Sequence, residues 1–164
     1  MERYLYRAPN QEEIESGVRL IPAKPEHGRL FKDGAPMFVM AHHSGTYTHV
    51  GGIADVIRRH QIHGDTGGIS TTKSMEVAKR YALERLPGYR YVVRIPISRL
   101  EEHHIYDAAL CGLVLPKPED EEVVLVSSRT ESFPREIIDK IWRVTDEGNL
   151  EDVAPDGLQP VTRL

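Results

Sequence analysis

The stretch GGISTTKSMEVAKRYALE, residues 67–84, predicts a strand that leads directly into an amphipathic helix. Three hydroxyl side chains, those of Ser70, Thr71 and Thr72, lie at the junction. A helix start needs only one such residue as its N-cap, because a single side-chain oxygen is enough to accept a backbone N–H of the first turn. We therefore expect one hydroxyl to cap the helix and another to serve a functional site.

The helix itself carries its apolar residues at helical spacing. Met75, Ala78, Ala82 and Leu86 fall on one stripe, with Arg and Lys mostly opposite. The spacing predicts a helix that packs by one face.

Outward from this stretch, Gly and Pro divide the chain into short elements. Residues 4–8 (YLYRA) predict a strand, and residues 10–17 (NQEEIESG) predict a helix with Asn10 as N-cap, Glu13 in the capping-box position and Gly17 after its end. Further strands are predicted at about 37–41, 89–97, 104–110, 121–128 and 138–145, with a short helix and loop within 51–68 and an irregular tail from about 150. Early helices and later strands without strict alternation predict an α+β fold in a single domain, residues 1–164.

Composition limits the classes of function. The net charge of −4, with acidic and basic residues mixed along the chain, does not favour nucleic acid as a partner. No apolar run approaches the roughly 20 residues of a membrane span, and the N-terminus shows no signal peptide. The single cysteine, Cys111, gives no internal disulfide, which fits action in a cytosol.

Three groups of residues indicate chemistry: Arg7 at the end of a strand, the hydroxyl cluster at 70–72, and the acidic run before the strand at 121–128. Residues two apart on a strand face the same side, so we expect Asp120 and Glu122 to project together and Glu121 to point away. Arginine matches phosphate oxygens with a planar fork, and a carboxylate can hold a ribose hydroxyl and stabilise an oxocarbenium-like transition state. The set suits a substrate that has a pyrophosphate and a sugar bearing a leaving group.

Each group has a simpler interpretation when taken alone. An isolated arginine is usually on the surface, a Ser-Thr-Thr run before a helix usually serves capping, and an acidic run is usually a solvated loop. The pairs of histidines at 42–43, 60 and 63, and 103–104 could indicate a metal. Their spacing does not favour one, because adjacent histidines on a strand point to opposite faces, and we expect no metal.

In their order along the chain, these segments resemble the mono-ADP-ribosyltransferase toxin family, most closely the catalytic chains of cholera toxin and heat-labile enterotoxin. LYRAPNQEEIESGVRLIPA is similar to the opening strand, arginine and helix of that family, and GGISTTKSMEVAKRYA to its Ser-Thr-Ser strand and helix. YDAALCGLVLPKPEDEEV resembles the loop before its Glu-x-Glu pair, and SFPREIIDKIWRV the segment that follows. Each motif alone is weak, and it is their common order that carries the resemblance.

The resemblance implies two roughly perpendicular β-sheets around a cleft for NAD+, the substrate whose ADP-ribose passes to an acceptor as nicotinamide leaves. Arg7 would bind the NAD+ phosphates or ribose, and the Ala8 backbone would lie beside the nicotinamide amide. Ser70 would orient Glu122, the catalytic glutamate. His42 would match a functional histidine of the family, with His43 as a rival.

Asp120 departs from the family pattern. Arginine-modifying members have Glu two residues before the catalytic glutamate, and other subclasses have Gln there. An aspartate keeps the negative charge but is one methylene shorter, so protein arginine is the favoured acceptor. A frame shifted by one residue would make Glu121 catalytic; we prefer Glu122, because it directly precedes the apolar strand.

Two alternatives remain open: an NAD glycohydrolase that uses the same residues with water as acceptor, and an inactive homologue that acts as a binding module. The resemblance further implies a toxin or effector that modifies a target protein, such as a GTPase or a cytoskeletal protein, in the cytoplasm of a target cell. Because no signal peptide or translocation segment is visible, we expect delivery either by another part of a larger toxin or by a secretion machine or partner, and an immunity protein in the producing cell. The loop at about 108–120 is expected to influence the choice of acceptor.

Overall fold

The computed structural model describes residues 1–21, 30–32, 35–41, 47–51, 68–101, 103–107, 118–126, 133–154 and 157–158. The chain groups into two compact units, each built from separate segments. The first unit contains residues 1–20, 71–101 and 133–164, and the second contains residues 21–70 and 102–132.

The first unit is an antiparallel sheet with helices. The elements are β1 (Tyr4–Arg7), α1 (Gln11–Glu15), the end of β5 (Gly68–Thr72), α2 (Met75–Leu83), β6 (Tyr91–Pro96), β9 (Lys140–Val144) and β10 (Leu150–Asp152), with 3₁₀ turns at Ile97–Leu100 and Arg135–Ile137. The strands lie in the order β10-β9-β6-β1, and Thr72, at the end of β5, lies opposite Tyr6 on the other edge of β1.

The core of the first unit forms where α2 packs on this sheet. Ala78 and Ala82 of α2 are buried with Val92 of β6 and Trp142 of β9, and partly buried Met75 packs against the same cluster. These contacts confirm the predicted apolar face of the helix for three of its four residues.

Leu86 was wrongly included in that stripe. The helix ends at Leu83, and Leu86 is 65% exposed. Pro87 and Gly88 follow immediately, and Gly88 has a φ of 93°, which glycine adopts without strain. A turn therefore replaces the last helical turn that spacing alone predicted.

The hydroxyl that caps α2 also differs from the expectation. The N-cap is Ser74, whose side chain accepts the N–H of Val77 at 3.3 Å. Within the cluster at 70–72, Thr72 Oγ1 accepts the N–H of Ser74 at 3.0 Å and so supports the residue that caps the helix. The expectation that a member of the cluster is itself the cap was wrong.

Helix α1 begins as its sequence predicts. The Asn10 side chain accepts the N–H of Glu13 at 2.9 Å, and Glu13 Oε1 accepts the N–H of Asn10 at 3.0 Å, which is the reciprocal capping box. Gly17 follows the helix with a φ of 83°, as expected of a glycine after a helix C-terminus.

The second unit contains two groups of strands. One is a three-stranded antiparallel sheet in the order β2-β3-β4, and the other has the order β5-β8-β7, with β7 and β8 antiparallel. The elements are β2 (Leu30–Lys32), β3 (Ala35–Ala41), β4 (Tyr47–Gly51), the start of β5, β7 (His104–Asp107), a 3₁₀ turn (Pro118–Asp120) and β8 (Glu122–Val126).

Antiparallel strands with few helices place the chain in the α+β class, as predicted. The perpendicular arrangement of two sheets stays a prediction. The tail from about 150 is not irregular throughout, because β10 pairs with β9 from Leu150 opposite Val144 to Asp152 opposite Trp142. The predicted helix within 51–68 lies outside the described residues except at its two ends.

Candidate functional site

The residues predicted to form the site divide between the two units. Arg7 and Ala8 lie in the first unit, while Ser70, Asp120 and Glu122 lie in the second. His42 lies outside the described residues, as does its rival at position 43.

The two acids of the second unit reach a common environment by a geometry different from the one predicted. Asp120 ends the 3₁₀ turn and Glu122 begins β8, so they do not share one strand. Glu121 between them has a φ of 48°, in the left-handed region that non-glycine residues seldom adopt. Asp120 is buried, Glu122 is partly buried and Glu121 is exposed. A left-handed residue therefore stands between the two acids where strand alternation was predicted, and the common direction of their side chains stays a prediction.

The carboxylate of Glu122 lies in an environment that shifts its pKa. Burial, and after it the charge of Asp120, raises the pKa of Glu122 from 4.5 to about 7. Its Oε1 atom is buried and has no hydrogen-bond partner among the described residues. A buried carboxylate oxygen without a donor is costly, and groups of this kind concentrate at functional sites.

Ser70 lies on the strand next to the one that Glu122 begins. Strands β5 and β8 are hydrogen-bonded neighbours, and Ser70 is half-buried. The serine and the glutamate are thus on adjacent strands of one unit. A hydrogen bond from Ser70 that orients the carboxylate stays a prediction.

In the first unit, Arg7 is held by a carboxylate that the sequence pattern assigned only to helix capping. Arg7 Nη2 donates to Glu13 Oε1 at 2.7 Å, and Arg7 Nε lies 3.3 Å from both carboxylate oxygens. The side chain of Glu13 is fully buried and that of Arg7 is 14% exposed. The ion pair therefore sets the direction of the guanidinium at the end of β1.

Ala8 contacts a second arginine. The Arg85 side chain, from the turn after α2, donates from Nη2 to the Ala8 carbonyl at 3.0 Å. Burial, followed by the nearby charge of Arg7, lowers the pKa of Arg85. Two guanidinium groups are therefore close to residues 7 and 8.

Two of these residues were not identified from sequence as part of a site. Glu13 could have been found, because a strand that turns directly into a capped helix brings the N3 carboxylate back toward the strand end. Arg85 is 77 positions from Ala8 in sequence, and no local pattern indicates their contact.

A cavity of about 310 Å³ in the first unit lies apart from the predicted residues. Three charged side chains of its lining form ion pairs: Asp139 pairs with Arg94 at 2.7 Å, and Lys140 pairs with Asp152 at 3.5 Å. The lining residues are Arg135, Ile138, Asp139, Lys140, Ile141, Asp152 and Val153.

Within the described ranges, no group of three His, Cys, Asp or Glu side chains could hold a metal ion. In the same part of the chain, no helix combines the length and apolar character needed to cross a bilayer.

No known family model matches the chain, and no curated protein matches it either. Among solved structures, the chain is similar to one titled EcPltA, with a TM-score of 0.47 and 16% identity over 93% of this chain and 83% of that one. It is also similar to a double mutant of heat-labile enterotoxin, with a TM-score of 0.44 and 17% identity over 93% of this chain. The chain spans 62% of the length of that enterotoxin chain. Both likenesses are distant and concern the fold alone.

Proposed function

We propose that this protein is an NAD-dependent mono-ADP-ribosyltransferase that modifies a protein arginine and acts as a toxin or effector. The observation that carries the proposal is the environment of Glu122, a partly buried carboxylate beside buried Asp120, with one oxygen that meets no donor in the described part of the chain. This pair follows Arg7 and Ser70 in the order that the sequence resemblance requires.

In the proposed reaction, Glu122 acts on the ribose next to nicotinamide. Its carboxylate accepts the hydrogen bond of the ribose 2′-hydroxyl and stabilises the positive charge that develops as the bond from C1′ to the nicotinamide nitrogen breaks. Nicotinamide leaves with the bonding electrons and is neutral. A nitrogen of the acceptor guanidinium then bonds to C1′ and gives up one proton.

The two acids divide this work by environment. With a pKa of about 7, Glu122 exchanges a proton readily near neutral pH. Asp120 supplies a second negative charge that attracts a guanidinium and can receive its proton. Ser70, on the neighbouring strand, orients Glu122, and His42 keeps the supporting role that the sequence resemblance gives it.

Arg7 is proposed to bind the phosphates of NAD+. Its guanidinium is oriented by the buried carboxylate of Glu13, which reduces the freedom it would lose when it binds a ligand. Ala8, the next residue, is proposed to face the nicotinamide amide through its backbone.

Nicotinamide release from NAD+, measured with and without agmatine as an arginine analogue, tests the function. We expect release to rise with agmatine and to fall by at least about a hundredfold in Glu122→Gln, since removing one electrostatic stabiliser costs about 10²–10³ in rate. Glu121→Gln, which changes the exposed neighbouring acid, is the matched control and should retain activity. Loss of activity in the control with a normal Glu122→Gln would assign catalysis to the shifted frame.

One observation favours a second candidate, an NAD glycohydrolase. Asp120 is only 7% exposed, and its side chain is shorter than the glutamate of arginine-modifying members, so a water molecule reaches it more easily than a protein guanidinium does. Release that is unaffected by agmatine, yet abolished in Glu122→Gln, would support this candidate. If no nicotinamide is released at all, the inactive binding module is the remaining interpretation.

As a transferase, the protein would act in the cytoplasm of a target cell on a protein substrate such as a GTPase or a cytoskeletal protein. Delivery by another component and protection of the producer by an immunity protein belong to the same proposal. Mass spectrometry of a host-cell extract incubated with labelled NAD+ would identify the modified protein. Unlabelled extract despite nicotinamide release would contradict the transferase assignment.

A further inference from the structure

Arg85 occupies a well-anchored position immediately after α2. Its backbone N–H donates to the Ala82 carbonyl at 3.0 Å, and its own carbonyl accepts Arg90 Nε at 3.1 Å. Arg90 is itself paired with Asp146 at 2.7 Å. The turn that carries Arg85 is therefore fixed by contacts on both of its sides.

The side chain of Arg85 is directed to the end of β1. Nη2 donates to the Ala8 carbonyl, whereas the buried Nε has no hydrogen-bond partner among the described residues. In the same part of the chain, no carboxylate lies within ion-pair distance of Arg85, and the nearby carboxylate of Glu13 is bonded to Arg7. The half-buried guanidinium thus has a backbone contact but no counter-charge in contact.

The charges of Arg7 and Arg85 act on each other near one strand end. The guanidinium N–H at Arg85 Nε is buried without an acceptor in the described part of the chain, and such a donor has a desolvation cost. An anion that accepts from both arginines would remove this cost. A diphosphate fits, because its oxygens match the planar fork of each guanidinium.

We propose that Arg85 binds the diphosphate of the dinucleotide together with Arg7, using its Nε edge while Nη2 stays on the Ala8 carbonyl. This inference rests on the proposed function for the identity of the ligand. It adds a second arginine, from the end of α2, to the one that the sequence analysis identified.

A purely structural role makes different predictions. If Arg85 served only to tie the end of α2 to β1, its replacement would lower the thermal midpoint and leave ligand affinity unchanged. The two roles are therefore separated by measuring both quantities on the same variants.

The test is a calorimetric titration of the full chain with ADP-ribose, which has the diphosphate, and with nicotinamide riboside, which has no phosphate. Arg85→Gln keeps a donor for the Ala8 carbonyl but removes the charge, and we expect it to weaken ADP-ribose binding about 10- to 100-fold, the usual effect of losing a charged hydrogen bond. Arg85→Lys keeps the charge without the fork and should fall between wild type and Arg85→Gln. Affinity for nicotinamide riboside should stay the same in all three.

Arg80→Gln is the matched control, because Arg80 is an exposed arginine of α2, five residues before Arg85, and its removal changes the net charge equally. We expect it to bind ADP-ribose within about twofold of wild type, as expected for a solvent-screened charge. Equal losses in Arg80→Gln and Arg85→Gln would overturn the inference, and so would wild-type affinity in Arg85→Gln or a wild type that does not bind ADP-ribose.

The inference and the proposed function can fail separately. Binding of ADP-ribose that depends on Arg85, without nicotinamide release by the wild type, would leave the anion site standing and remove the transferase. Nicotinamide release by the wild type, with an ADP-ribose affinity that does not change in Arg85→Gln, would support the transferase and remove Arg85 from the anion site.

Discussion

Glu13 holds Arg7 and closes helix α1 with the same carboxylate. Its Oε1 accepts from Arg7 Nη2 at 2.7 Å and from the N–H of Asn10 at 3.0 Å. The Glu13 side chain is completely buried, so both contacts are made away from bulk water. One side chain therefore connects the end of β1 to the start of the following helix.

Replacing Glu13 with Gln should be strongly destabilising. The amide can still accept the Asn10 N–H, but the mostly buried charge of Arg7 loses its ion pair with the Glu13 carboxylate, and breaking such a pair costs about 3–5 kcal/mol. Urea denaturation measures the loss. Glu12→Gln, in the exposed neighbouring position of the same helix, should change stability by less than about 0.5 kcal/mol. Equal effects in the two variants would contradict a dominant role for the ion pair.

Activity should depend on pH through Glu122. Since burial and the charge of Asp120 raise its pKa to about 7, the ionised form that the proposed reaction requires declines as pH falls below about 7. The rate of nicotinamide release should then drop by up to about tenfold per pH unit. Asp120→Asn removes the neighbouring charge and should shift the profile to lower pH, whereas an unchanged midpoint would contradict the coupling.

The same group makes stability depend on pH. With a folded-state pKa above its ordinary 4.5, Glu122 binds protons more tightly in the folded protein, so its contribution is fully present below pH 4.5 and is lost as pH rises through about 7. The whole effect is on the order of 3 kcal/mol. Glu122→Gln should gain stability relative to wild type between pH 5 and pH 8 in urea denaturation. If the difference in unfolding free energy between Glu122→Gln and wild type stays constant from pH 5 to pH 8, the raised pKa is contradicted.

Ser74 and Ser70, which precede α2 in sequence, should have different roles, the first in stability and the second in nicotinamide release. Ser74→Ala removes the N-cap and should cost about 1 kcal/mol of stability. Ser70→Ala, on the strand next to Glu122, should leave the helix intact and reduce nicotinamide release. Thermal unfolding and the release assay on both variants give the comparison, and a Ser70→Ala variant that loses stability but retains its rate would reverse the assignment.

Glu121 tests the turn between the two acids. Glu121 has a φ of 48°, a backbone conformation that costs a non-glycine residue about 1 kcal/mol. Glu121→Gly removes this cost, whereas Glu121→Ala keeps it. We expect Glu121→Gly to be the more stable of the two variants in urea denaturation, with nicotinamide release retained in both. An alanine variant of equal or greater stability would show that the turn carries no strain.

Local patterns were sufficient for much of this fold. Alternation and β-branched residues located the strands at 91–96, 122–126 and 140–144 within a few positions, and the spacing of Asn10 and Glu13 predicted the capping box. Each of these signals comes from residues that contact one another within a few positions of sequence.

The errors arose where contacts between distant residues decide the structure. The acidic strand β10 has little intrinsic tendency to be extended and forms because β9 pairs with it. Leu86 satisfied the helical spacing, but the turn at Pro87 and Gly88 ended the helix first. At the candidate site, the contact of Arg7 with Glu13 is local in sequence, whereas the contact of Arg85 with Ala8 depends on tertiary packing. The roles of the site residues stay predictions.

The double use of Glu13 couples helix fraying to ligand recognition. Whenever the first turn of α1 opens, its carboxylate is released and the guanidinium of Arg7 loses the support that directs it. Any change that loosens this five-residue helix, even far from a bound molecule, should therefore weaken anion binding in proportion to the fraction of time the turn is open. Amide hydrogen exchange at the start of α1 would then measure the fraction of time in which Glu13 orients Arg7.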